Sequence, residues 1–157
     1  MTSTDPQDQK LKALFAVDPL RPIEQLDPAG KLVSPDRFSL LVLLVCEVPE
    51  ESLILFRKQL VPPKQLGRQV AAREVELKRH LAEITQKLES MGYEVEGRVE
   101  RGKQTGVVIT EVADQDDVDL IILQRRRQKP WQRVLVGSVA DYLTRHTTRP
   151  LVIMPYA

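Results

Sequence analysis

The sequence predicts an α/β domain in which a five-stranded, mainly parallel open sheet carries helices on both faces. Two stretches of strand length, Phe38–Val48 and Leu120–Leu123, are apolar without alternation, as strands buried on both faces tend to be. Between such stretches lie segments of helical periodicity, and strand–helix–strand repetition implies right-handed crossovers onto a parallel sheet. At 157 residues the chain has room for one core of this kind. No internal repeat, low-complexity segment or second domain interrupts the pattern.

Residues 1–10 read as a flexible polar lead and 11–157 as the single domain. The first strand is Leu11–Val17, which stops at Asp18-Pro19 because proline cannot continue a central strand. From Pro19 to Arg37, Pro22, Pro28 and Pro35 would each cost a helix interior about 3 kcal/mol, so only short helical turns fit. Phe38–Val48 is the second strand. A short helix is expected over Glu50–Leu60, before Pro62-Pro63 interrupts it. From Lys64 to Met91, Leu66, Val70, Leu77, Leu81, Ile84, Leu88 and Met91 draw one apolar stripe along an amphipathic helix, and Gly92 stops it. Tyr93–Glu100 is the third strand, turned by Arg101-Gly102. Val107, Val108, Val112 and Ala113 fit a shorter helix, and Asp119 leads into the strand Leu120–Leu123. Ser138 opens the last helix, with Asp141 as the acidic partner of a capping box, and the helix ends near His146. Pro150 precedes the final strand, Leu151–Met154.

Composition excludes several classes. Apolar residues at 42% and charged residues at 29% are globular proportions, not collagen-like, mucin-like or wholly disordered ones. Lys and Arg number 23 against 22 acidic residues, so no global charge excess exists to hold a polyanion or an anionic membrane. The longest apolar run, Leu40–Cys46, has seven residues, whereas a spanning helix needs about 20. The start is polar and carries Asp5 and Asp8, unlike a signal peptide. The single cysteine, Cys46, cannot form an intramolecular disulfide and, inside that apolar run, reads first as a buried inert thiol; a cytoplasmic location is expected. His80 and His146 lack a second histidine four residues away, so no metal site is expected. No nucleophile elbow or Walker lysine is present, and the chain is not expected to be an enzyme.

The most specific pattern lies in the C-terminal third: Asp119-Leu120-Ile121-Ile122, a loop, Gly137-Ser138-Val139-Ala140, then Arg149-Pro150-Leu151-Val152-Ile153. Together with Gly102, Ile109, Ala113 and Asp18 at the end of the first strand, these residues resemble the universal stress protein family from Leu11 onward. The resemblance implies a Rossmann-like, adenine nucleotide alpha hydrolase-like fold, and a small stress-response or regulatory protein that works by binding. Asp18 matches the aspartate that lies beside adenosine in nucleotide-binding members. The proline-rich segment Pro19–Arg37 departs from the regular first helix that the resemblance implies. A sharper departure concerns the phosphate loop. ATP-binding members have glycine, two residues, glycine, nine residues, then glycine followed by Ser or Thr; here Gln124 and Arg127 occupy the first two glycine positions and only Gly137-Ser138 remains. Glycines in such loops let backbone amides approach phosphate closely, and the Gln and Arg side chains fill that space. No cofactor is therefore expected, with ATP or AMP as the disfavoured alternative.

The leading expectation is a homodimer joined through Leu151, Val152, Ile153 and Met154, acting on an unknown protein partner without ATP. The resemblance places this strand at a sheet edge; it is apolar and carries no lysine or inward charge to discourage pairing. The alternative is a nucleotide- or small-anion-binding module built from Asp18, Cys46, Arg125, Arg126, Arg127, Gly137, Ser138 and Val139. The loop Gln124–Val136 also carries Lys129 and Arg133, and it joins a strand end to a helix N-terminus, where parallel sheets place ligands and amides favour anions. The plainer reading is a solvated loop whose arginines pair with Glu111, Asp114, Asp116, Asp117 and Asp119, at about 0 to 1 kcal/mol each. Trp131 would stack on a base or anchor the loop by burial, and the second is the simpler role. Nucleic acid and membrane are not expected partners. A slow ATPase stands third.

Overall fold

The computed structural model describes residues 9–19, 21–48, 63–124 and 137–154. The helix expected over Glu50–Leu60, the basic loop from Arg125 to Val136 and the terminal residues beyond Met154 lie outside them. The strands are β1 (Leu11–Ala16), β2 (Phe38–Glu47), β3 (Val95–Gly102), β4 (Leu120–Gln124) and β5 (Leu151–Met154). They form one sheet in the order β3-β2-β1-β4-β5, with every neighbouring pair parallel. The helices are α1 (Pro63–Ser90), α2 (Thr105–Gln115) and α3 (Ser138–His146).

Alternation along the strands divides the core into two layers. Phe15, Leu40, Val42, Leu44 and Cys46 pack with Leu77, Leu81, Ile84 and Leu88 of α1. Leu14, Leu41, Leu43 and Val45 pack on the other face with Val108, Ile109, Val112 and Ala113 of α2 and with Leu143 of α3. Both faces of β1 and β2 are thus covered, which is why these strands show no alternation in sequence.

The proline-rich segment takes the place of a helix on the α1 face. It holds only a short 3-10 turn, Ile23–Gln25, yet it places Leu26, Ala29 and Val33 in the core. Asp27 Oδ1 accepts from the amides of Ala29 (2.9 Å) and Gly30 (3.3 Å), and the Tyr93 hydroxyl donates to the Val33 carbonyl at 2.6 Å. Tyr93 is positioned by the end of α1. Gly92 takes a positive φ of 96°, its amide donates to Glu89 and the Tyr93 amide donates to Leu88, closing the last turn.

Two expectations at element ends are corrected. Arg101-Gly102 does not turn the chain; both continue β3, paired with Cys46 and Glu47 of β2. The longer strand β2 offers ladder partners that extend β3 past its own apolar positions. The capping box at Ser138 does not form: Gly137 is the cap residue, Ser138 is already helical, and the Asp141 amide donates to the Gly137 carbonyl. The extended backbone of Gly137 (ψ 151°) sets the helix start one residue earlier than the side-chain pattern suggested. The acidic run before β4 finds partners inside the fold. Asp116 accepts two hydrogen bonds from Arg98 at 2.9 Å and one from Lys12 at 3.1 Å, and Arg149 reaches Asp114, Asp117 and the Val118 carbonyl.

Candidate functional site

Successive strands run outward from β1 to β2 and β3 and then cross back to β4 and β5, so the strand order reverses between β1 and β4. Crossovers departing in opposite directions leave a crevice beyond the carboxyl ends of those strands. A cavity of about 290 Å³ lies there. Ala16, Val17 and Asp18 line it from β1, Val45 and Glu47 from β2, and Leu123 and Gln124 from β4. Thr105 and Ile109 of α2, Ser138, Val139 and Ala140 of α3, and Arg73 of α1 complete the lining. The volume is close to the lower bound of about 300 Å³ for small-molecule sites.

The first turns of α2 and α3 both face this cavity, and helix N-termini carry unsatisfied amides that favour negative charge. At α2 that charge comes from the chain itself. Glu47 Oε1 accepts from the Thr105 hydroxyl at 2.5 Å and from the Thr105 amide at 3.1 Å, while the residue before the helix, Gln104, makes no side-chain cap. At α3 the cap residue is Gly137, which has no side chain to accept from the first amides. Arg73 sits one residue before Glu74, whose carboxyl the Arg101 guanidinium holds below its usual range; Arg101 Nε donates to Glu74 at 2.6 Å and ties α1 to the end of β3.

Gln124 is 5% exposed. Its Nε2 donates to the Gln25 carbonyl at 2.8 Å and its Oε1 accepts from the Asp27 amide at 3.5 Å. The side chain at the first glycine position of the expected phosphate loop is therefore a buried link between β4 and the proline-rich segment.

Of the residues singled out in the sequence, Asp18, Ser138 and Val139 meet at the cavity, with Gly137 adjoining them as the cap of α3. Cys46 does not join them. It is 1% exposed in the core under α1, because alternation turns Val45 and Glu47, not Cys46, toward the α2 side. Arg125, Arg126 and Arg127 lie outside the described residues. Gln124, expected to fill the phosphate loop, does line the cavity, whereas Glu47, Arg73 and Thr105 were not anticipated there. Among the described residues no group of three or more His, Cys, Asp or Glu side chains is arranged to hold a metal, and no helix is long and apolar enough to cross a membrane.

The model of the universal stress protein family matches residues 26–155. No curated protein matches the chain. Among solved structures the chain is similar to the universal stress protein UspA from Lactobacillus plantarum, with a TM-score of 0.69 and 18% identity, covering 93% of this chain and 98% of that one. It is also similar to an Arabidopsis thaliana universal stress protein family protein with AMP bound, with a TM-score of 0.58, 16% identity and coverage of 94% and 92%. The universal stress protein from Archaeoglobus fulgidus in complex with dAMP gives a TM-score of 0.55 and 16% identity over 91% of this chain and 96% of that one. At such identities the likeness is one of fold.

Proposed function

The chain belongs to the universal stress protein family, and from that premise we propose that it is a cytoplasmic stress-response regulator that acts by binding and not by catalysis. In this reading it works as a homodimer on a protein partner, and its crevice holds a small ligand without using ATP. Gln124 carries the argument. Where ATP-binding members of the family have a glycine, this chain has a side chain that is almost wholly buried and bonded through both ends of its amide. Bringing backbone amides up to a phosphate there would require Gln124 to leave Gln25 and Asp27, breaking two part-buried hydrogen bonds at about 0.5 to 1.5 kcal/mol each. Calorimetric titration with ATP and magnesium tests this reading. Heats no larger than those of dilution are expected, and tight magnesium-dependent binding would overturn it.

A second reading, a nucleotide- or anion-binding module, is favoured by the place of Asp18, Ser138 and Val139 on one cavity at the N-terminus of α3. The complexes of its structural neighbours with AMP and dAMP support the same idea. Here the anion affinity is electrostatic, so alanine at Arg125, Arg126 and Arg127, or raised salt, weakens it. An affinity indifferent to both treatments would count against the loop.

A further inference from the structure

We propose that Glu47 sets the charge preference of the crevice, turning it toward an uncharged, nucleoside-sized ligand and against the phosphorylated form of the same molecule. The proposal rests on the reading of the crevice as a ligand site.

A parallel-sheet crevice ordinarily owes its affinity for phosphate to open helix N-termini. Two helices begin at this one, and one of them is already occupied from within. The Glu47 carboxylate sits on the first residue of α2, 2.5 Å from the Thr105 hydroxyl and 3.1 Å from its amide. It takes the first of the amides that a phosphate would otherwise use, and it leaves a negative charge in the cavity wall. Asp18 adds a second carboxylate, against one guanidinium, Arg73, among the described lining residues. A space of about 290 Å³ is roughly 8 Å across, about one screening length at physiological salt, so an entering phosphate still feels these charges although Glu47 is itself exposed. For an uncharged ligand the same carboxylates are favourable, since they accept hydrogen bonds from hydroxyl donors such as those of a ribose.

The competing source of anion affinity is the run Arg125, Arg126 and Arg127, which follows Gln124 in the sequence. Calorimetry on the full chain with adenosine and with AMP separates the two. The wild type should bind adenosine more tightly than AMP. Glu47→Gln keeps a carbonyl acceptor for Thr105 and removes the charge; it should raise the affinity for AMP relative to that for adenosine about tenfold. Glu47→Ala should shift the AMP-to-adenosine ratio in the same direction, and thermal melts of both variants verify folding. A ratio moved by neither variant overturns the proposal. So does tighter binding of AMP than of adenosine by the wild type that is lost on alanine substitution of the three arginines. If neither ligand binds any of these proteins, the reading of the crevice as a nucleoside-type site fails, and this proposal with it.

Discussion

Gln124 joins two features in one side chain: it stands at the first glycine position of the expected phosphate loop, and it fastens the proline-rich segment to the sheet end. Gln124→Ala should lower stability by about 1 to 3 kcal/mol in urea unfolding, because Gln25 and Asp27 lose buried partners. Gln124→Leu fills the space without bonding, so it should fall in the same range; full stability in the leucine variant would mean that packing, not hydrogen bonding, is the link. A second prediction concerns Asp116. The Arg98 guanidinium first, and Lys12 after it, hold its carboxyl below the ordinary value, against the opposing effect of burial. The unfolded chain then binds a proton more readily than the folded one, so this contribution is complete above about pH 4 and is lost as the pH falls through the depressed value. Melting temperatures measured between neutral pH and strong acid should decline less steeply in Asp116→Asn than in the wild type, from a lower starting point. At this scale the sequence was legible only in part. The family resemblance singled out Asp18, Ser138 and Val139, and the fold brings all three to one cavity, where strand ends and helix starts of a parallel sheet converge. Cys46 is the buried thiol that its apolar run suggested and not a cavity residue, because a shift of one position along a strand changes its face, and only the core it joins decides that face. Arg73 gave no signal, since packing of α1 across the sheet is what brings it to the cavity.

Helices in this fold are positioned by close approaches that small residues permit. A Cβ on Gly106 of α2 would lie 2.6 Å from the Tyr142 ring of α3, and that ring is itself stacked on His146 at 4.0 Å. Tyr142 has little freedom to yield, so Gly106→Ala should cost about 1 to 3 kcal/mol. Gly67, in the exposed early part of α1, has nothing within 4 Å of the corresponding position. Gly67→Ala should therefore stabilise by about 0.5 to 1 kcal/mol, through helix propensity and a less flexible unfolded chain. Chemical denaturation of the pair reads both signs in one experiment. The same contrast explains which elements the sequence revealed. The apolar stripe of α1 and the doubly buried runs of β2 and β4 are local patterns, and they matched the structure closely. The end of β3 and the cap of α3 were misread because a ladder partner and a backbone angle fixed them, and neither is written in local composition.

The sheet ends on two edge strands, β3 and β5, and they differ in kind. Strand β3 carries Glu96, Arg98, Glu100 and Arg101, and charge along an edge discourages pairing with another chain. Strand β5 reads Leu-Val-Ile-Met, and all four residues are only partly buried in the single chain. On the α1 face, helix cover reaches β2 and β3 while the proline-rich segment lies near β1 and β4, which leaves Val152 and Met154 at the rim of the core. An antiparallel match of this strand with its copy is self-complementary about a twofold axis, so it closes as a pair instead of growing into a fibre. We expect a homodimer by light scattering after size-exclusion chromatography at micromolar concentration. The structure also selects the variant that tests it. Val152 and Met154 pack on one core cluster and Leu151 on the other, whereas Ile153 belongs to neither. Ile153→Asp should therefore halve the mass while the thermal melt still reports a folded chain, whereas Val152→Lys would dissociate the pair and also damage the core. A wild type with the mass of one chain, or a dimer that survives Ile153→Asp intact, would remove β5 as the joining edge.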